Sequence, residues 1–337
     1  ASNFETVKRL RQLKHRPQKP FAVMTKNFLV KFPKFINDYQ KPIALLPKKL
    51  FNVAENVAPN NNKLGVMLPY TPLHLLIFNY PDEIKDFPNI LVMTSGNISG
   101  SPIAINDDDA KNDLSNICDA ILSHNRDILI RADDSVVDVI DDEPYMIRRS
   151  RGYAPLPIYF NTCHNIEVLA IGGELKNTFC LSKNNLFYLS PYIGDMTNLK
   201  SIEVLKNSIR RMIRLLEIEP KVIACDLHPR YHTTKIAEYF SKHFDVPLLK
   251  IQHHYAHILS CMAENNVNES VIGVAFDGTG YGLDGTIWGG EFLIADLKSF
   301  KRFYSINSFI QAGGDKSSVE GWRNAISMIF NYTKNAN

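Results

Sequence analysis

The sequence predicts an α/β protein made of two domains. Three observations lead to this expectation: the length of 337 residues, the 45% share of apolar residues, and the alternation of short apolar runs with helical stripes. A chain of this size and composition can bury more than one core. The composition, with 22% charged residues, excludes disordered chains and coiled coils. A formal charge of only +3 does not suggest a dedicated nucleic-acid-binding protein.

The first half shows strand and helix signals in turn. Apolar runs within 43–53 and 63–68 indicate strands, and NILVMTSGN indicates a buried strand that enters a tight turn. TPLHLLIFNY predicts a helix that begins after Thr71, with Pro72 at its first position.

Three further segments complete the first half. INDDDAKNDL predicts a helix capped by Asn106 or Asp107. SVVDVIDDEPYMIRR predicts a hairpin that turns at DDEP. GYAPLPIYFN carries two prolines and few helix formers, which favours a linker, so we expect domains over 1–158 and 159–337.

The second half begins with three short strands, VLAIGG, NTFCLS and LFYLSP. An apolar stripe over 199–216 predicts a helix, and strand KVIACD, helix TTKIAEYFSKHF and strand VPLLKI follow. After one more helix the pattern restarts with VIGVAFDG, GTIWGGEFLIA, FKRFYSINSF and the helix VEGWRNAISMIF. Three strands followed by alternating helix and strand are typical of one ribonuclease-H-like lobe of two-lobed ATP-binding folds. The second lobe is therefore expected to be cut short.

Features missing from the sequence indicate the cellular compartment. No apolar run approaches the roughly 20 residues that cross a bilayer, and the first residues are polar and basic, unlike a secretory signal. The cysteines are scattered and never spaced as C-x-x-C: Cys118, Cys163, Cys180, Cys225 and Cys261. This pattern argues against a disulfide framework and for a reducing, cytoplasmic compartment.

Two segments of the first half are candidate phosphate sites. Lys14 and Arg16 alternate in KHRPQKP and would share one face of an extended segment, where two cations suit phosphate oxygens. A solvated basic face is the alternative. Ser95 and Asn97 lie in the turn after a strand, where α/β sheets bind ligands, although an ordinary turn fits equally.

Further candidates for phosphate contact flank other strands. Ser135, Arg148 and Arg151 lie around the predicted hairpin and would hold a triphosphate or form surface ion pairs. The glycine-rich turn GGELKNTF exposes backbone amides and offers Lys176, although a simple hairpin explains it too.

The segment FDGTGYG offers backbone amides at glycines 278 and 280. It resembles a phosphate loop only loosely, because it lacks the Walker ending and the Rossmann spacing.

The sharpest local signal is QHHYAH on a predicted helix. His253 and His257 are four residues apart and share a face, and Asp277 ends a predicted strand, which together suit a two-histidine, one-carboxylate metal site. No glutamate follows the first histidine, so this is not the metalloprotease motif. Satisfied surface histidines are the alternative. Two rival ligand sets remain open, His254 with Cys261 and His228 with His232.

Together, these motifs resemble the HypF family of hydrogenase-maturation carbamoyltransferases. KHRPQKPFAVM, GVMLPYTPLHLLIF, TSGNISGSPI, DDSVVD and RRSRGYAPLPI resemble its adenylate-forming YrdC-like domain. GGELKNTF, ACDLHPRYHTT, QHHYAH, FDGTGYGLDGTIWGGEF and GWRNA resemble its carbamoyl-transfer domain. The resemblance implies a YrdC-like domain over 1–158, lacking its start, followed by a ribonuclease-H-like ASKHA domain over 159–337, lacking its end.

The resemblance also implies a two-step reaction. The first domain would use carbamoyl phosphate, ATP and Mg²⁺ to form carbamoyl adenylate, releasing pyrophosphate. The second would pass the carbamoyl group to the C-terminal cysteine of the partner HypE, on the way to a cyanide ligand of nickel-iron hydrogenase. By resemblance, the nucleotide or phosphate contacts are Lys14, Arg16, Ser95 and Asn97, and the ligands of iron or zinc are His253, His257 and Asp277.

Two other functions remain open for the sequence. One is a fused tRNA threonylcarbamoyl enzyme that uses threonine and bicarbonate. The other is a non-catalytic scaffold or RNA-binding module that uses the basic stretch. Because parts of the family's architecture lie outside this sequence, we expect weak nucleotide binding and little net carbamoylation from this chain alone. Neither a membrane nor RNA is expected as a partner.

Overall fold

The computed structural model describes residues 1–26, 33–80, 86–161 and 166–334 and confirms the α/β class. Two compact units are formed, one by Ala1–Cys225 and Pro229–Leu249, the other by Asp226–His228 and Lys250–Asn337. Cys163 lies outside the described residues. In the described part of the chain, no helix combines the length and apolarity needed to cross a bilayer. The domain boundary near residue 158 stays a prediction.

The first sheet of the first unit has six strands in the order β4-β1-β3-β2-β5-β6. Their bounds are Ala22–Thr25 (β1), Ile43–Pro47 (β2), Lys63–Met67 (β3), Ile90–Met93 (β4), Val136–Ile140 (β5) and Glu143–Arg148 (β6). The sheet is mixed, because β1 pairs with β3 and β2 with β5 in parallel, while the other pairs are antiparallel. Buried aliphatic side chains such as Val23, Leu64 and Val66 form its core.

Among the described residues of this part of the chain, three α-helices accompany the sheet: Phe4–Leu13 (α1), Pro72–Phe78 (α2) and Asp107–Leu114 (α3). The predicted caps are confirmed, because the Thr71 side chain accepts from the backbone N–H of His74 and the Asn106 side chain accepts from that of Asp109. The turn between β5 and β6 is shorter than the expected DDEP. Only Asp141 and Asp142 connect the two strands, and both have positive φ.

The second sheet also has six strands, in the order β12-β11-β8-β9-β10-β7. Their bounds are Ile158–Tyr159 (β7), Val168–Ile171 (β8), Phe179–Lys183 (β9), Leu186–Leu189 (β10), Val222–Asp226 (β11) and Leu248–Ile251 (β12). The predicted meander is β8-β9-β10, and β11 pairs in parallel with β8. The expected linker GYAPLPIYFN contains β7, which pairs with β10.

Two amphipathic helices cover the second sheet, Leu199–Leu216 (α4) and His232–Phe244 (α5). Leu205 and Ile209 of α4 and Phe240 of α5 are buried in one cluster with Leu169 and Leu181 of the sheet. Burial of an amphipathic helix face, more than intrinsic propensity, stabilises such helices.

The second unit contains the restarted pattern. Helix His253–Glu264 (α6) precedes the antiparallel strands Val271–Tyr281 (β13), Ile287–Ala295 (β14) and Phe300–Ser305 (β15), and helix Gly321–Lys334 (α7) follows. Tyr255, Ile258 and Met262 of α6 pack with Trp288 and Leu293 of β14. The opposite face of α6 is left to carry polar side chains.

Candidate functional site

The three predicted metal ligands lie together in the second unit. His253 and His257 are one turn apart on α6, and their Nε2 atoms are 3.3 Å apart. Oδ2 of Asp277 lies 2.8 Å from Nε2 of His253 and 4.0 Å from Nε2 of His257. One ligand atom from each residue fits within 4.8 Å of the other two. The sequence therefore selected side chains that the fold brings to one point.

The N-terminus of α6 is fixed directly before the histidines. The side chain of Gln252 caps the helix, because its Oε1 accepts from the backbone N–H of Tyr255 at 2.9 Å. His253 is therefore the first helical residue, and His257 follows one turn later on the same face.

Asp277 does not end a strand, contrary to the sequence expectation. Strand β13 continues to Tyr281, and its pairing with β14 shifts register between Phe276 and Gly280. Asp277 lies in this irregular stretch, where the backbone leaves the regular ladder and re-aims a side chain. A Cβ atom at Gly280 would come within 2.4 Å of Cε1 of His254, so only glycine fits beside the histidines.

Asp226 is a functional candidate that the sequence analysis missed. It is the last residue of β11, and its Oδ2 lies 2.6 Å from Nδ1 of His253. Its Oδ1 accepts from the backbone N–H of His228 at 2.8 Å. The hydrogen bonds to Asp226 and Asp277 raise the pKa of His253 to about 9. The sequence did contain a signal for Asp226, because the predicted strand KVIACD ends in this acidic residue and one further strand precedes the histidines.

The donor set fits a transition metal. Two imidazole nitrogens and one carboxylate oxygen are ligands of zinc and non-haem iron sites. Asp226 occupies the place of the outer carboxylate that commonly fixes a ligating histidine. Burial lowers the pKa of His254, which lies next to these ligands.

The rival ligand sets are not assembled in the part of the chain that the structure describes. His254 is buried whereas Cys261 is exposed, and neither belongs to the three-residue cluster. The His228 ring packs against Tyr281 at 5.1 Å between centroids. His232 contacts Glu174 instead, through its Nδ1 at 2.5 Å from Oε1.

A polar cavity of about 480 Å³ lies within the first unit. Five of the predicted phosphate-binding residues line it: Lys14, Arg16, Ser95, Asn97 and Arg148. Its wall also includes the acidic residues Asp133 and Asp134, and Tyr192 and Asp195 from the segment after β10. A cavity with cations and a few acids suits an anionic ligand of the size of a nucleotide.

Lys14 is buried and already bonded. Helix α1 ends at Leu13, and His15 has a φ of 47°, so the segment is not extended and the expected alternation of Lys14 with Arg16 does not hold. Nζ of Lys14 donates to the backbone oxygens of Ser95 and Asn97, at 2.7 and 2.9 Å. Burial, reinforced by Arg16, lowers the pKa of Lys14. This lysine shapes the turn while its charge stays at the cavity wall.

The turn residues bond to each other. Oγ of Ser95 donates to Oδ1 of Asn97 at 2.7 Å, and Nδ2 of Asn97 donates to the backbone oxygen of Ser101. Across the cavity, Nε of Arg148 donates to the backbone oxygen of Asp134 at 2.8 Å. Its guanidinium lies 5.4 Å from the ring centroid of Tyr192.

Two predicted phosphate-binding residues, Ser135 and Arg151, do not line this cavity. Ser135 is fully buried and donates to the backbone oxygen of Arg151 at 2.9 Å. Arg151 pairs with Asp134 at 2.8 Å and lies 3.5 Å from the ring centroid of Tyr70. Both side chains hold the strand ends together.

The other three predicted residues lie elsewhere. Lys176 is exposed on the turn between β8 and β9, and its backbone N–H donates to Oδ1 of Asp195 at 2.7 Å. Gly278 and Gly280 belong to β13 in the second unit, where Gly280 lies beside His253 and His254.

Comparison with known proteins identifies three matching family models. The Sua5, YciO and YrdC family, described as telomere recombination, matches residues 1–150. The HypF Kae1-like domain matches 164–264, and the second subdomain of the carbamoyltransferase Kae1-like domain matches 273–337. A carbamoyltransferase HypF of Synechocystis is 39% identical over 98% of this chain and 43% of its own length. The chain belongs to the HypF family.

Other relatives and solved structures agree. A probable carbamoyltransferase HypF of Methanocaldococcus jannaschii is 36% identical over 97% of the chain and 43% of its own length. A crystal structure of full-length HypF in the phosphate- and nucleotide-bound form matches with a TM-score of 0.90 and 39% identity, over 99% of this chain and 44% of that chain. For T. kodakarensis HypF the TM-score is 0.86 and the identity 41%, over 94% and 42% of the two chains. The chain thus spans less than half the length of these relatives.

The two sites fall within different matched family models. The polar cavity lies mainly among residues matched by the YrdC-type model. His253 and His257 fall within the Kae1-like match, and Asp277 falls within the second subdomain. The expected YrdC-like domain followed by a Kae1-like transfer domain is confirmed.

Proposed function

We propose that this chain forms the adenylating cavity and part of the transfer site of a hydrogenase-maturation carbamoyltransferase. The observation that carries the proposal is the convergence of His253, His257 and Asp277 in a chain of the HypF family. Its relatives are named carbamoyltransferases, which makes carbamoyl transfer the reaction to test first.

The first half-reaction would occur in the cavity of the first unit. Carbamoyl phosphate, ATP and water would yield carbamoyl adenylate, pyrophosphate and inorganic phosphate, with Mg²⁺ on the phosphates. Arg16 and Arg148 would offset the phosphate charge, because fixed cations stabilise charge that develops on oxygen. Lys14 would hold the Ser95–Asn97 turn in place. Support comes from the cations that line one cavity and from the nucleotide named for the related crystal structure.

The second half-reaction would transfer the carbamoyl group to the sulfur of a partner cysteine. The thiol proton would leave to water, and the resulting thiolate would form the C–S bond as the C–O bond to AMP breaks. The partner proposed is HypE, through its C-terminal cysteine. No cysteine of this chain is needed as nucleophile.

Iron or zinc would be held by His253, His257 and Asp277. A bound metal ion supplies Lewis-acid chemistry, either at the carbamoyl oxygen or at the nucleotide. Asp226, bonded to Nδ1 of His253, would leave Nε2 of this histidine available as the ligand atom, and the buried face of α6 keeps the two histidines one turn apart.

The experiment is reconstitution with the intact protein. ATP, carbamoyl phosphate and purified HypE are mixed, and mass spectrometry reads the C-terminal cysteine of HypE. We expect carbamoylation with wild type, and none when that cysteine of HypE is changed to alanine.

Two variants distinguish the two half-reactions. Arg148→Gln is expected to reduce pyrophosphate release, whereas His257→Ala is expected to spare pyrophosphate release and abolish transfer. Formation of threonylcarbamoyl adenylate from threonine and bicarbonate in preference to carbamoyl adenylate would overturn the proposal.

A further inference from the structure

A fully buried histidine beside the metal ligands has a nitrogen without a hydrogen-bond partner. His254 follows His253 on α6, and in the described part of the chain its Nε2 has no partner. This Nε2 lies 3.9 Å from Oδ2 of Asp277, just beyond hydrogen-bond distance. A buried polar atom without a hydrogen-bond partner is unfavourable, so such a group is seldom left without a role.

The hydrogen on the His254 ring can be assigned from Gln252. Oε1 of Gln252 accepts from the backbone N–H of Tyr255, which fixes the amide so that Nε2 is the opposite end. That Nε2 donates to the backbone oxygen of Tyr281 and lies 3.2 Å from Nδ1 of His254. Because an amide nitrogen only donates, Nδ1 of His254 accepts. The ring hydrogen is therefore on Nε2, the atom that faces Asp277.

The His254 ring is held from two sides. A Cβ atom at Gly280 would come within 2.4 Å of its Cε1, and the Trp288 ring lies nearly parallel at 6.4 Å between centroids. Asp277, in contrast, lies in the irregular stretch of β13 next to Gly278, whose φ is 85°. A small movement of the carboxylate, rather than of the ring, would close the gap.

We propose that His254 is a positioning residue that donates a hydrogen bond from Nε2 to Oδ2 of Asp277 when this carboxylate binds a metal ion. Gln252 selects the tautomer that makes the bond possible. In the structure, Oδ2 faces Nε2 of His253 at 2.8 Å. A metal-bound His253 uses that nitrogen as a ligand and cannot donate from it, so His254 becomes the neighbouring donor. The inference rests on the metal site of the proposed function.

The first test measures zinc affinity of the intact protein by competition with a chromophoric chelator. His254→Phe keeps the ring and removes the donor, and we expect zinc to bind ~10-fold more weakly, within the range for outer partners of metal ligands. His254→Gln places an amide nitrogen near the position of Nε2 and is expected to recover most of the affinity. His243→Phe, an exposed histidine on α5, is the matched control and should bind zinc as wild type does.

The second test reads the tautomer without a variant. ¹⁵N chemical shifts of the wild-type histidines should show His254 with hydrogen on Nε2 and a bare Nδ1. Hydrogen on Nδ1 alone would overturn the inference, as would wild-type zinc affinity in folded His254→Phe. If wild type itself binds no zinc, the metal site of the proposed function is wrong, and the inference is wrong with it. If wild type and His254→Phe both bind zinc normally, the metal site stands and only the role of His254 is contradicted.

Discussion

Oδ2 of Asp226 lies 2.6 Å from Nδ1 of His253, and this contact turns the opposite ring nitrogen toward Asp277. The carboxylate is itself held, because its Oδ1 accepts from the backbone N–H of His228. The side chain of Asp226 is almost fully buried, at 7% exposure. The end of a strand thus fixes the ligand at the start of a helix.

Asp226→Asn tests this relationship. The amide keeps the shape of the side chain but removes the negative charge that supports a ligating imidazole, so we expect zinc affinity to fall ~10–100-fold. Competition with a chromophoric chelator measures the change. Asp245→Asn is the matched control, because Asp245 is exposed at the end of α5 in a left-handed conformation that asparagine adopts readily. Equal zinc affinity in both variants would contradict the role of Asp226.

Tyr70 provides a pH prediction for the cavity of the first unit. Burial, reinforced by Asp134, raises the pKa of Tyr70 to about 12. The unfolded chain loses this proton near the ordinary value of 10, so the contribution of neutral Tyr70 to stability is complete below pH 10 and is lost as pH rises toward 12.

The measurement is denaturant unfolding at several pH values between 9 and 12. The free energy of unfolding of wild type should fall more steeply with pH than that of Tyr70→Phe, which has no phenol to titrate. ¹³C chemical shifts of the tyrosine rings, assigned with the same variant, report the pKa directly. A Tyr70 pKa near 10 would contradict the prediction.

Local signals explain which parts of the fold could be predicted. Thr71 and Asn106 cap helices through bonds three residues away, so a short stretch of sequence contains the whole signal. Helix α1 was missed although it has the same kind of local signal, because the Asn3 side chain accepts from the backbone N–H of Thr6. Its docking could not be predicted, because a long-range contact fixes it. Arg11 is buried and donates to backbone oxygens that include those of Asn56 and Val57, and no spacing rule connects residues so far apart.

The same distinction applies to the sites. Histidines four residues apart on a helix predicted their own proximity. Asp277 was chosen as the end of a strand, whereas the register shift within β13 is what brings it to them, and the sequence did not predict that shift. Asp226 comes from another strand, so only the fold brings it to His253. Arg151 is the opposite case, because it was predicted to contact phosphate and does not line the cavity. Its side chain pairs with Asp134 and packs against the Tyr70 ring, and composition does not reveal these contacts.

Cys261 distinguishes the proposed ligand set from its rival. It lies one turn beyond His257 on α6, is exposed, and is not among the clustered ligands. We therefore expect Cys261→Ser to retain wild-type zinc affinity, whereas His257→Ala should lose a ligand and most of the binding. Zinc titration of both variants decides between the sets, and a strong loss in Cys261→Ser would favour the pair of His254 and Cys261.

Lys14 and Lys19 both line the cavity of the first unit but should respond differently to substitution. Lys14 is buried and bonded to two backbone oxygens, whereas Lys19 is exposed. Lys14→Met leaves those oxygens without their charged donor, so we expect it to lower the free energy of unfolding by about 2–3 kcal/mol and to weaken ATP binding. Lys19→Gln should weaken ATP binding alone, through lost charge attraction.

Urea unfolding and calorimetric titration with ATP, run on both variants, separate the two effects. Charge attraction to a phosphate is screened by salt, so the deficit of Lys19→Gln should shrink as ionic strength rises. The deficit of Lys14→Met should persist at high salt, because it arises from a displaced Ser95–Asn97 turn rather than from a missing charge at the ligand. Unchanged stability in Lys14→Met would contradict the prediction, because it would show that the turn keeps its shape without the lysine.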